Sequence, residues 1–281
     1  MTGKRAVATG SLSIRFWGVR GLIPVSGHEF RRFGGDTICF EVICGRHQFI
    51  VDAGSGLRRL GAAMATAGAL DAILLLSHLH LDHVIGLTAF EPLFQPQGRV
   101  EIRAPEIVAG SLRADLDRLI GEPYFPLSLE QMPAAITCAG FAPGETLEYG
   151  DHRIQTIGLN HGVGSSGFRF DHAGKALAIV TDHEHRDDEP EPALIAFCKD
   201  ADLLVYDGMW DETVDFDVHR GWGHSSWQAG LRLKARSGAG RLVSVHHAPA
   251  HTDVELAARE TRLRKIDPAG FFATQNLMLI I

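Results

Sequence analysis

The sequence predicts an α+β protein in which two β-rich stretches form a pair of sheets packed face to face, with helices on the outside. Three observations carry that expectation. Short strand signals separated by glycine turns fill the first half, strand signals return from residue 135, and the C-terminal third alternates helix with strand. No repeat of fixed period accompanies the two stretches.

In chain order, residues 12–17, 38–43 and 48–52 read as strands, with 18–35 a glycine-rich loop between the first two. Residues 57–68 follow an Asp52-Ala-Gly-Ser-Gly turn and place Leu60, Ala63 and Met64 at helical spacing. The continuous apolar run 72–77 is the pattern of a strand covered on both faces. Residues 84–94 read as a helix ended by Pro96, 100–103 as a strand and 106–119 as a helix. Segment 121–133 sets Pro123, Pro126 and Pro133 around Tyr124 and Phe125, which suggests an ordered loop or lid over a site. Strands are then expected at 136–138, 146–149, 153–159, 167–170, 176–181, 203–206 and 242–245, and helices at 192–198, 226–237 and 253–266.

At 281 residues the chain suits one domain spanning 1–281. Its 45% hydrophobic and 22% charged content allows a sizeable core and excludes a disordered or fibrous chain. A net charge of -7 excludes a general basic field that would collect nucleic acid. Cys39, Cys44, Cys138 and Cys198 form no C-x-x-C pair and read as reduced and structural. No segment reads as a signal peptide or a membrane span, so a cytoplasmic protein is expected.

The strongest chemical signal is Ser77-His78-Leu79-His80-Leu81-Asp82-His83 at the end of the 72–77 strand. On extended backbone His78 and His80 leave the same face and can bind one ion. Asp82 and His83 follow where the chain turns toward a helix and can face a second ion nearby. Imidazoles with a carboxylate suit zinc, manganese or iron. Further candidates sit at other strand ends: His161, Asp182 and His246. An aspartate between two histidine sets can bridge two ions about 3.5–4 Å apart and hold a water of lowered pKa between them. Asp182 is the expected bridge. His246 and His247 are neighbours that point to different sides and cannot both be the same ligand, so His247 stays open as a substitute for His246 or as a substrate contact. His183 and His185 read as a solvated loop, and among the remaining histidines His219 and His251 are the best placed to line an entrance.

The order His78-x-His80-x-Asp82-His83, His161, Asp182 and a late histidine resembles the metallo-β-lactamase superfamily over nearly the whole chain. That resemblance implies a four-layer αββα sandwich with metals at one edge of the sheets. Phe16-Trp17-Gly18-Val19-Arg20-Gly21-Leu22-Ile23-Pro24, Phe33-Gly34-Gly35-Asp36-Thr37 and Gly223-His224-Ser225-Ser226 are similar to segments of its phosphodiesterase branch, which includes ribonuclease Z and the PhnP-like phosphodiesterases. Carried over, His224 acts near the leaving group and Asp207 orients it, beside Asp82 at the metals. The implied activity is hydrolysis of a small phosphodiester, with a cyclic nucleotide the leading substrate, by two divalent ions, zinc before manganese or iron. Opening of a lactone or thioester, and metal-stabilised sensing without turnover, are the alternatives. Ribonuclease Z enzymes carry a long arm that grips tRNA, and no insertion of that kind is visible here, so long nucleic acid is not an expected partner. A homodimer is left open.

Overall fold

The computed structural model describes residues 11–106, 111–187 and 189–281. The first sheet takes strands β1 (Leu12–Gly18), β2 (Cys39–Cys44), β3 (His47–Val51), β4 (Asp71–Leu75), β5 (Arg99–Pro105) and β6 (Ala135–Phe141) in sequence order, with β14 (Met278–Ile280) added beside β1. The second sheet takes β7 (Thr146–Tyr149), β8 (His152–Leu159), β9 (Ser165–His172), β10 (Lys175–Val180), β11 (Leu203–Asp207), β12 (Arg241–Val245) and β13 (Phe271–Phe272). β3 to β6 run parallel, as do β10 to β13, and the remaining neighbours are antiparallel.

Strand alternation sorts the side chains into layers. In β10, Leu177 and Ile179 enter the core between the sheets while Ala178 and Val180 face outward; in β12, Val243 and Val245 point in and Leu242 out. From the other sheet Phe40, Val42, Phe49 and Val51 meet them. The outward faces must be covered in turn. Leu57, Leu60 and Met64 of α1 (Leu57–Thr66) and Leu116 cover the first sheet. The second sheet is covered by Leu194 and Phe197 of α4 (Pro192–Phe197), Trp227 and Leu233 of α5 (Trp227–Ser237), and Leu256 and Leu263 of α6 (Asp253–Ile266). The result is the expected αββα sandwich. Ser226 caps α5 and Thr252 with Glu255 forms a capping box on α6.

Two expectations need correction. The helix expected at 84–94 is instead α2 (Leu81–Val84) followed by two 3-10 turns, Ile85–Ala89 and Glu91–Phe94. Pro92 removes a backbone donor there, and Gly86 packs where a Cβ would meet the Gly54 carbonyl at 2.0 Å, so a regular helix is not sustained. The helix expected at 106–119 is described as α3 (Leu112–Leu119), and 107–110 lie outside the described residues. Segment 121–133 is anchored, with Leu129 and Met132 buried in the first outer core, Phe125 packed against it and Tyr124 exposed. No helix among the described residues is long and apolar enough to cross a membrane.

Buried charge locks the loops at the rim. Arg20 is fully buried, and its guanidinium donates to the carbonyls of Gly34 (2.8 Å), Ala248 (3.0 Å) and His251 (2.7 Å). His251 Nε2 lies 2.9 Å from Asp215 Oδ2 and 3.0 Å from Arg259 Nη2. Burial, and then the Arg259 charge, lower the His251 pKa from 6.5 to about 4. Between those values the unfolded chain binds a proton that the folded chain refuses, so stability falls as pH drops, by up to about 3 kcal/mol from this group. Urea unfolding of chelator-treated protein from pH 6.5 down to pH 4 is expected to show this loss, and a smaller one in His251→Asn.

Candidate metal centre

The carboxyl ends of parallel strands fall on one edge of a sheet, and here both sheets bring theirs to the same place. Asp52 follows β3, the Ser77–His83 run follows β4, His161 follows β8, Asp182 follows β10, Asp207 ends β11 and His246 follows β12. Asp52, Asp182 and His246 have φ of 60°, 57° and 62°. A side-chain-bearing residue in that left-handed region costs about 1–2 kcal/mol. Each breaks the strand alternation at its tip, which frees the side chain from the two sheet faces.

The candidate donors collect in two groups that meet at one carboxylate. His80 Nδ1 lies 3.1 Å from His161 Nε2, and the His78 ring stands 4.3 Å and 4.8 Å from theirs, centre to centre. On the other side His83 Nε2 lies 3.3 Å from His246 Nε2, and Asp82 Oδ2 is 3.4 Å from both. Between them Asp182 puts Oδ2 3.3 Å from His83 Nε2, and Oδ1 3.3 Å from His246 Nε2 and 3.7 Å from His161 Nε2. All are buried except His80, where the centre opens to solvent.

This donor set fits divalent ions. Tetrahedral bonds of about 2.0–2.1 Å space their donors about 3.3–3.4 Å apart, close to the spacing found. His78 Nε2 is buried with no hydrogen-bond partner, an uncompensated polar atom of about 1–3 kcal/mol that a cation would satisfy. The electrostatics agree. Burial lowers the pKa of His78, His80 and His161, leaving neutral imidazoles. For His83 and His246 burial acts the same way, but Asp182 leads a set of carboxylates that outweighs it, and His246 is raised to about 9. Burial likewise opposes ionisation of Asp82 and Asp182, yet His83 and His246 hold both well below the usual carboxylate range. The pocket therefore carries concentrated negative charge that calls for positive charge.

Neighbouring groups fix the rings. Asp52 Oδ2 lies 3.0 Å from His83 Nδ1, while its Oδ1 accepts from the Ser77 backbone N–H (2.8 Å) and hydroxyl (2.9 Å). His161 Nδ1 is 2.7 Å from the Gly223 carbonyl. The Leu22 N–H donates to Asp82 Oδ2 at 2.7 Å, which brings the opening loop onto the centre. A Cβ at Gly21 would stand 2.3 Å from the His246 ring, so only glycine lets that loop pass.

His224 Nδ1 lies 2.9 Å from Asp207 Oδ2 and 3.9 Å from Asp182 Oδ1. Asp207 also accepts from the backbone N–H groups of Asp182 (3.1 Å) and Met209 (3.2 Å). Glu184 clamps the approach to His224 by accepting from the N–H groups of Gly221 and Gly223, each at 2.7 Å. Sequence reasoning assigned no role to Asp52 or Glu184.

The remaining histidines divide. His247 is turned away, with Nε2 2.9 Å from the Ala273 carbonyl and its ring between Phe33 and Phe272. His183 and His185 are not a solvated loop: both side chains are buried, His185 Nδ1 lies 2.6 Å from Glu191 Oε2, and Nε2 lies 2.8 Å from the Tyr206 hydroxyl. His219 stacks on Trp210 at 3.8 Å beside exposed Trp222, whereas His251 belongs to the ion-pair network above.

A four-layer sandwich with a histidine–aspartate centre at the carboxyl edge of its sheets is the metallo-β-lactamase fold, and the protein is a metal-dependent hydrolase of that class. The chain belongs to the β-lactamase superfamily, whose "Beta-lactamase superfamily domain" family model matches residues 47–247. It is similar to a ribonuclease Z of Mycobacterium sp. (strain KMS), 27% identical over 237 residues covering 79% of this chain and 80% of the relative. Among solved structures it resembles the metallo-β-lactamase fold protein YhfI from Bacillus subtilis, with a TM-score of 0.71 and 16% identity over 97% of this chain and 100% of that one. A diphosphatase from the PhnP family gives a TM-score of 0.69 with 15% identity, covering 95% of this chain and 97% of that chain.

Proposed function

We propose that the protein is a phosphodiesterase whose centre holds two divalent ions, zinc before manganese or iron. His78, His80 and His161 would hold one, Asp82, His83 and His246 the other, and Asp182 would bridge them. Bound there, the ions supply a water nucleophile of lowered pKa and neutralise the phosphoryl oxygens. Asp207 holds His224 by Nδ1, which leaves Nε2 as the nitrogen that donates a proton to the departing alkoxide. The single observation that carries the reading is this 2.9 Å pair beside Asp182, a held acid that a departing alkoxide needs and the thiolate of a thioester does not.

The substrate we propose is a small phosphodiester with a flat apolar group, a cyclic nucleotide in the first instance. Leu22, Ile23, Leu81, Val163 and Trp222 are exposed large apolar side chains; Leu81 lies between His80 and Asp82, Val163 and Trp222 are two residues from His161 and His224, and Ile23 follows Leu22, whose N–H donates to Asp82. They offer a contact surface for such a group. Long RNA finds less support. The charge is -7, and every α-helix among the described residues buries side chains, so no long helical arm stands clear there.

The test is turnover of bis(p-nitrophenyl) phosphate, 2′,3′- and 3′,5′-cyclic nucleotides, precursor tRNA, lactones and thioesters by the metal-loaded protein. Cleavage of the small diesters in preference to precursor tRNA is expected. Turnover of acyl substrates alone would overturn the phosphodiesterase reading, and processing of precursor tRNA alone would overturn the substrate class. Asp52→Ala, which leaves His83 Nδ1 without its carboxylate, is expected to weaken metal binding about 10–100-fold in competition with a chelator.

A further inference from the structure

A second group of ligand-type side chains lies at the other edge of the sandwich. β3 and β8 carry their carboxyl ends to the candidate centre, so the first residues of those strands, His47 and His152, stand at the opposite edge. There the β2–β3 turn of the first sheet meets the start of β8 and the end of β9 from the second. Cys44 Sγ lies 3.4 Å from His152 Nδ1, and the ligand atoms of Cys44, His152 and His172 all fall within 4.8 Å of one another. Cys44 and His152 are buried and His172 is half-buried.

We infer that Cys44, His152 and His172 form a site for a thiophilic transition-metal ion of the zinc class, which ties the two sheets together away from the catalytic edge. A tetrahedral ion with bonds of about 2.3 Å to sulfur and about 2.05 Å to nitrogen spaces those two donors about 3.6 Å apart, close to the separation present. Asp151 Oδ1 sits 3.7 Å from His152 Nε2, in the place where a carboxylate commonly orients a ligating imidazole. The His47 ring stands against His152 at 4.7 Å, and its Nδ1 is buried without a hydrogen-bond partner. Gly45 lets the turn close over the rings, since a Cβ there would approach His152 at 2.8 Å and His172 at 3.0 Å. Burial lowers the His152 pKa, which keeps the imidazole neutral for ligation. The Cys44 thiol, pushed up to about 11 mainly by burial, gives its proton to solvent as the metal–sulfur bond forms, so affinity rises with pH.

Cobalt reports this site separately, because the catalytic donors are nitrogen and oxygen only. The full chain loaded with Co2+ is expected to show a thiolate-to-cobalt charge-transfer band and to bind about one equivalent more than the catalytic centre takes. Cys44→Ser should lose both. His172→Gln, at a half-buried strand end where the fold tolerates change, should shift the band and weaken this equivalent, with diester turnover unchanged in either variant. Absence of the band at saturation, or a band and metal content that survive Cys44→Ser, would overturn the inference.

Discussion

Asp182→Asn is expected to lower diester turnover by at least ~10³-fold, which corresponds to the several kcal/mol that a two-metal centre supplies. The aspartate reaches both donor sets, with His83 and His246 each 3.3 Å from one of its oxygens and His161 3.7 Å away. Asparagine keeps the shape and tolerates the φ of 57° at this position, so the fold should persist while the bridging charge is lost. Bound metal should drop along with turnover. Activity within tenfold of wild type, at full metal content, would remove Asp182 from the bridging role.

The second large effect is expected at His224. If its role is to protonate the leaving alkoxide, His224→Ala should slow cyclic nucleotides by about 10²–10⁴-fold through kcat. A p-nitrophenolate leaves without a proton, so bis(p-nitrophenyl) phosphate should be slowed by less than about tenfold. Asp207→Asn should follow the same substrate pattern, and the double variant should be little worse than either single one, because the pair acts as a unit. Equal loss on both substrates would make His224 a structural residue of the 221–226 loop.

The candidate centre was legible in the sequence where its residues are close together or end a strand. The Ser77–His83 run declares itself by spacing, and strand ends pick out His161, Asp182 and His246, because parallel strands deliver their carboxyl ends to one edge. Positioning groups were not legible. Asp52 and Glu184 act across 31 and 37–39 residues of chain on His83 and on the 221–223 loop, and no periodicity reports such a contact. His183 and His185 were misread because the acidic run after them looks solvated, whereas Glu191 and Tyr206 fold back to partner them. Strands β13 and β14, of two and three residues, are too short to show alternation, and they pair only once the rest of each sheet exists. The Cys44, His152 and His172 group escaped for the reason that Asp52 did: three hairpin ends meet there only in the folded sandwich.

The most direct test of the account is metal return to chelator-stripped protein, carried out in the Cys44→Ser variant so that only the catalytic centre is counted. Diester turnover should be absent from the stripped protein and should rise to its full value as about two equivalents of divalent metal bind. Turnover that survives stripping, or a centre that fills with two ions and hydrolyses no diester, would contradict it.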